Sequence, residues 1–170
     1  MNFILRKWKE TDAESVQLIA NNKKIAANLR NAFPNPYTLE DAKGYIDICL
    51  NTDESKNLFY AIEIDDMAVG SIGVFVKDDV YCKSAEIGYW LGEDYWGKGI
   101  MSDAIRRTCQ DAFKIFDIVR IFAEPYAYNM GSRGALEKAG FKLEGVLEKS
   151  VYKNGTYFDS CIYALIRQCF

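Results

Sequence analysis

The sequence predicts an α/β fold over residues 1–170, read as one domain with a mixed sheet and the order β-α-α-β-β-β-α-β-α-β-β. Three observations carry that prediction. Met101, Ala104, Ile105, Thr108, Cys109, Ala112, Phe113 and Phe116 follow the i, i+3, i+4, i+7 spacing of an amphipathic helix. Short apolar runs bounded by turn residues read as strands before and after that helix. Asn154-Gly155, between two such runs, is a strong hairpin signal.

The elements follow in order. Residues 3–8 read as a first strand. Thr11-x-x-Glu14 has the spacing of a capping box and opens a helix through Val16, Leu18, Ile19 and Ala20. Residues 23–29 suit a second, short helix. Residues 31–37 hold two of the three prolines and form a loop. Thr38 caps a helix with the stripe Ala42, Tyr45, Ile46 and Cys49. Residues 59–64 and 68–76 make a hairpin about Asp65-Asp66. In the strand 85–91, Ile87, Tyr89 and Leu91 share one face, and Glu86, Gly88 and Trp90 the other. The long helix comes next, then a strand at 119–124. Asn129 precedes a helix that Gly140 stops. Strands at 141–152 and 157–167 close the chain.

Composition narrows the chemistry. There is no histidine among the 170 residues, so Ser-His-Asp and Cys-His nucleophiles and His-ligated metals are excluded. The five cysteines are widely spaced with no C-x-x-C pair, which suits reduced thiols and a cytoplasmic protein. Net charge is −3 and no run of like charge exceeds two residues, so no nucleic-acid partner is expected. The longest charge-free stretch, 67–76, is far short of the roughly 20 residues that span a bilayer. Residues 1–9 carry no apolar signal region, so neither membrane nor secretion is expected.

Glycines between a strand and a helix N-terminus make an anion site of backbone N–H groups. Gly92-x-x-x-x-Gly97-Lys98 has nucleotide-loop spacing, but Gly99 follows where a magnesium-binding hydroxyl is required. Gly97-x-Gly99-x-x-Ser102 lacks the third glycine of a dinucleotide fingerprint. A third reading fits better. AEIGYWL, then YWGKGIM, then Asn129-x-x-Ser132-x-x-x-x-Glu137-Lys138-x-Gly140-Phe141 resembles the GNAT superfamily of acetyl-CoA-dependent N-acetyltransferases. Leu5-Arg6-x-Trp8 and Phe33-Pro34 resemble its RimJ/RimL-like branch, typified by ribosomal-protein N-terminal acetyltransferases. The resemblance spans essentially the whole chain.

That resemblance implies a GNAT-like, mostly antiparallel sheet with a splayed strand pair holding coenzyme A. It puts the pyrophosphate at Trp96, Gly97, Lys98, Gly99, Ile100 and Met101. Trp96 stands where the family has Gln or Arg, and Met101 where it has Gly or Ala. Lys98 either adds charge near a phosphate or is a solvated lysine. Asn129 caps its helix and in the family also meets the pantetheine arm. Lys138 resembles a residue near the adenosine phosphates. Backbone groups of Tyr89, Trp90 and Leu91 run beside the pantetheine and serve the oxyanion.

Acetyl transfer to an amine also needs a base and relief for the departing thiolate, whose pKa is around 8.5. Glu86 is the expected base, directly or through water; its other reading is a solvent-facing or lysine-paired carboxylate. The family's usual tyrosine acid falls on Leu136. Ser132 resembles the branch's thiolate partner, or else bonds a backbone carbonyl, with Tyr126 and Tyr128 in reserve. The loop from Phe33 to Tyr37 and the hairpin near Tyr152, Tyr157 and Phe158 are expected to wall the acceptor site, their other reading being ordinary core cover. The resemblance thus implies an acetyl-CoA co-substrate, no metal, and direct attack by a primary amine, a protein N-terminus or a small molecule; a homodimer is allowed for. The alternative is a non-catalytic acyl-CoA-binding or sensor domain.

Overall fold

The computed structural model describes residues 2–167. Cys169 lies outside them. The order is β1 (Ile4–Arg6), α1 (Ala13–Ala20), α2 (Lys23–Ala27), α3 (Leu39–Leu50), β2 (Asn57–Ile64), β3 (Met67–Val76), β4 (Ser84–Leu91), α4 (Ile100–Ile115), β5 (Arg120–Ala123), α5 (Met130–Lys138), β6 (Lys142–Lys153) and β7 (Thr156–Ile166). The strands form one sheet in the order β1-β2-β3-β4-β5-β7-β6. Only β4 and β5 run parallel; the other neighbours are antiparallel. This is the mixed, mostly antiparallel sheet expected.

Helices cover both faces. Ile72, Val74, Ile87, Leu91, Ile105, Ile121 and Leu136 belong to a core that the sheet shares with α4 and α5. On the opposite face Trp8, Val16, Ile25, Tyr37, Ile46 and Trp90 form a second core beneath α1 to α3. The alternation of β4 sorts its side chains between the two. Ile87 and Leu91 enter the first core and Trp90 the second, as period-2 geometry requires.

Turn chemistry sets the connections. Asn154 and Gly155 both have positive φ, 50° and 77°, as a primed hairpin turn needs, and Asp65 and Asp66 do the same at 48° and 63°. Thr38 and Asp41 form a reciprocal capping box at α3. The box expected at Thr11 and Glu14 does not form. Asp12 precedes α1 instead and accepts the Lys9 N–H, while Arg6 grips both its carboxylate oxygens at 2.7 Å. A buried carboxylate with a guanidinium partner prevails over an exposed threonine. The same feature shortens β1, because residues 7–9 are already turning toward Asp12.

Candidate active site

The parallel pair β4 and β5 shares only the rungs Ser84–Arg120, Ala85–Ile121 and Glu86–Phe122. Beyond Glu86 the strands diverge, while β4 stays paired with β3 as far as Leu91. Register then decides which backbone groups the gap receives. The Gly92 N–H donates to Val69 O and the Lys77 N–H to Ser84 O, so the even-numbered residues of β4 bond β3. The amides of Tyr89 and Leu91 therefore face the gap with no strand opposite. The Leu91 carbonyl is taken by the Trp96 indole N–H at 2.8 Å, while the N–H groups of Tyr89 and Leu91 both remain as donors toward the gap. Trp90 contributes backbone only, its side chain being buried in the second core.

The gap opens onto the glycine turn. Gly97 and Gly99 have φ of 73° and 79°, the left-handed region that favours glycine, and a Cβ at either would meet open space. Gly99 is the N-cap of α4, whose first-turn N–H groups at Ile100, Met101 and Ser102 lack intrahelical acceptors. Lys98 is exposed, its ammonium 5.7 Å from the Tyr95 ring, with no acidic partner among the described residues. Open space over left-handed glycines, free helix N–H groups and an adjacent cation fit a bound pyrophosphate. Trp96 closes the turn through its bond to Leu91, so its place in the loop has a structural account whatever it does to ligand.

α5 forms the far wall. Asn129 caps it, its side-chain oxygen accepting the Ser132 N–H at 3.1 Å. The Ser132 hydroxyl reaches across and shares a hydrogen bond of 2.8 Å with the Tyr89 hydroxyl. Burial pushes the Tyr89 phenol well above its usual range, so it stays protonated. Leu136 is fully buried. Lys138 is exposed in the last turn of α5, apart from Ser132.

The opposite face of the gap carries two carboxylates among cations. Glu86 pairs with Arg30 at 2.5 Å and with Lys77 at 3.4 Å. Glu124, just past β5, lies on the same face, because Ile121 and Ala123 take the core positions. It accepts the hydroxyl of buried Ser160 at 2.7 Å, and Ser150 sits 2.7 Å from Ser160 where a bulge turns β6. A cavity of about 240 Å³ is lined here by Arg30, Glu124, Tyr126, Ser150, Tyr152 and Lys153.

Three side chains fasten the end of α2 over this cavity. Lys153, although 8% exposed, donates to Ala26 O at 2.6 Å and to Leu29 O. Tyr126 donates to Leu29 O at 3.1 Å and Tyr128 to Ala27 O at 2.6 Å. Burial lowers the lysine pKa and raises both phenols. The two tyrosines held in reserve as acids are thus occupied as struts. Phe33 packs 6.0 Å from Trp90, near the gap but outside the cavity lining. Tyr37 is 3% exposed within the second core, its phenol pushed up to about 12 by burial, and it is not among the residues lining this cavity. That is a correction: the loop expected to wall the acceptor site turns its tyrosine inward, where α1 and α3 cover it.

Arg30, Glu124 and Lys153 were not singled out from the sequence. Glu124 had a signal, since strand alternation puts it on the face of Phe122 and Glu86. Arg30 and Lys153 had none, for they reach the cavity only through the fold.

A model of the acetyltransferase (GNAT) domain matches residues 2–142. The chain belongs to the GNAT acetyltransferase family. It is 35% identical over 117 residues to a probable N-acetyltransferase, YjcK, of Bacillus subtilis, covering 69% of this chain and 65% of that one. It is 32% identical over 102 residues to the ribosomal-protein-serine acetyltransferase of Escherichia coli, covering 60% and 56%, in keeping with the RimJ/RimL-like branch. The matched region thus spans less than two thirds of either relative. Among solved structures, the microcin C7 self-immunity acetyltransferase MccE, in complex with acetyl-CoA and AMP, superimposes with a TM-score of 0.83 at 27% identity, covering 97% of this chain and 92% of that one. The glycine turn and strand gap give this chain the features that such a co-substrate requires.

Proposed function

We propose that the protein transfers an acetyl group from acetyl-CoA to a primary amine by direct attack in a ternary complex, in the cytoplasm. The observation that carries this reading is the two-faced gap: a backbone amide at Tyr89, carboxylates on one face and hydroxyls on the other. Acetyl-CoA supplies an activated acyl group on a thiol leaving group. Glu86 accepts the proton of the incoming ammonium, directly or through water, with Arg30 and Lys77 fixing the carboxylate. The Tyr89 amide donates to the oxyanion. Ser132 donates a hydrogen bond to the departing sulfur. No cysteine lies in the motifs that form the site, in keeping with direct transfer without an acetyl-enzyme.

The acceptor enters over the cavity between α2 and the β6–β7 hairpin, with Phe33 at its edge. Likeness to a ribosomal-protein-serine acetyltransferase favours a protein N-terminal α-amine over a small-molecule amine. The test is free-thiol release from acetyl-CoA with a panel of N-terminal peptides, polyamines and amino sugars, and mass spectrometry of the products. Thiol release with peptides supports the reading in full. Release with small amines alone moves the acceptor class. Coenzyme A binding without release by any amine leaves a non-catalytic acyl-CoA-binding domain.

A further inference from the structure

Two hydroxyls meet across the gap from opposite walls, Tyr89 from β4 and Ser132 from α5, 2.8 Å apart. Neither hydroxyl has another hydrogen-bond partner among the described residues. One hydrogen bond uses one of the two protons, so the other proton points elsewhere. If Ser132 were the donor, the phenolic proton would be left without an acceptor beside the first core, where Tyr89 packs. If Tyr89 is the donor, its proton is satisfied and the Ser132 oxygen accepts. Both side chains are half-buried, but a phenol is the more acidic hydroxyl and so the better donor, which leaves the serine proton free to turn into the gap.

We propose that Tyr89 is a positioning residue that makes Ser132 a net donor, aiming the serine O–H at the sulfur leaving the thioester. The inference rests on the reading of Ser132 as the thiolate partner. The phenol does not ionise. As the nitrogen–carbon bond forms and the carbon–sulfur bond breaks, the electron pair of the latter stays on sulfur. Ser132 donates to that sulfur, the nitrogen passes its surplus proton to water as the amide forms, and water returns a proton to the thiolate. Tyr89 acts through Ser132 and touches no reacting atom with its side chain.

The experiment compares Tyr89→Phe, Ser132→Ala and the double variant in the full chain. Ser132→Ala lowers kcat roughly hundredfold, within the range of acid–base and leaving-group roles. Tyr89→Phe keeps the ring and lowers kcat about tenfold, the rate equivalent of one hydrogen bond. The KM for acetyl-CoA and the coenzyme A thermal shift stay within about twofold for both, since a leaving-group contact acts on the chemical step. The double variant is no slower than Ser132→Ala alone, because Tyr89 has nothing left to orient. A purely structural tyrosine gives the opposite pattern, a lower Tm with additive losses.

Normal turnover in Tyr89→Phe with slow Ser132→Ala overturns the inference alone. Normal turnover in Ser132→Ala overturns the reading beneath it as well. If Tyr89→Phe does not fold, 3-fluorotyrosine at position 89 takes its place. Its more acidic phenol polarises Ser132 further and raises kcat, and a fall or no change overturns the inference.

Discussion

The two walls of the gap are built in different ways. On the cofactor side, β4, the glycine turn and α4 are consecutive, and the groups on offer are backbone amides. On the side proposed for the acceptor, Arg30, Glu86, Glu124 and Lys153 come from four separate segments and are held by side-chain contacts. A backbone site needs particular φ values, which a few glycines supply. A side-chain site needs the whole fold to be in place. The first wall should therefore fail at one residue and the second should fail in degrees.

The largest effect tests the first half of that contrast. Gly99→Val should abolish stabilisation by coenzyme A. At a hundredfold excess over Kd, binding is worth about 2.7 kcal/mol, or about 5–10 °C in Tm for a chain of this size. Valine at φ 79° is strained, and its branches enter the open space above the turn. Differential scanning fluorimetry with and without coenzyme A reads the result. A folded variant with an unchanged shift means that the turn does not cradle the pyrophosphate.

The second effect moves to the acceptor wall. Glu86→Gln should lower kcat by ~10²-fold with acetyl-CoA affinity unchanged. The deficit should shrink as pH rises toward the amine's own pKa, about 8 for an α-amine, because less of the amine then needs deprotonating. A pH profile of kcat/KM for both proteins reads it. Full activity at pH 7 passes the role to Glu124, which has a serine partner but no cation within ion-pair distance among the described residues.

What the sequence revealed divides along the same line. The helix-capping place of Asn129, the glycine turn at Gly97 and Gly99 and the faces of β4 were legible because spacing within a strand, turn or helix fixes them locally, whereas the role expected of Ser132 came from family resemblance. The splayed pair was not a spacing signal; it came from family resemblance. Glu86 could be placed on a face, but its partners Arg30 and Lys77 could not, since one is 56 residues away and the other lies across a loop. Tyr37 failed for a related reason. An aromatic residue in a proline loop suits a pocket wall or a core, and only the packing of α1 against α3 decides between them. Thr11 and Glu14 had the right spacing for a cap, yet Asp12 takes the N-cap position, its carboxylate held by Arg6 and the Lys9 N–H.

The third effect is graded. Lys153→Met keeps most of the apolar stem and removes the donor to Ala26 O and Leu29 O. Both carbonyls keep another donor, Tyr126 on Leu29 O and the Leu29 N–H on Ala26 O, so losing the lysine bonds should cost about 0.5–1.5 kcal/mol. That lowers Tm by several degrees. With the end of α2 loosened over the cavity, the acceptor KM should rise severalfold while coenzyme A binding holds. An equal loss of coenzyme A binding would show that the two walls are not separable.

The smallest effect lies at Lys98. Its ammonium is exposed, lies over the Tyr95 ring and has no acidic partner among the described residues, so nothing internal competes for it. A charge near a helix N-terminus does not favour that end of the dipole, which already attracts anions. A lysine there helps only if a phosphate is present to offset it. Exposed charge pairs are worth about 0.2–1 kcal/mol, so Lys98→Ala should weaken coenzyme A binding only about two- to fivefold. The contribution should fade with salt, since the screening length drops from about 10 Å at 0.1 M to about 3 Å at 1 M. Isothermal titration of wild type and variant at both salt concentrations separates the cases. A gap between them that closes at high salt assigns Lys98 to the phosphate, and equal affinities throughout make it a solvated lysine, leaving the cofactor wall a backbone device alone.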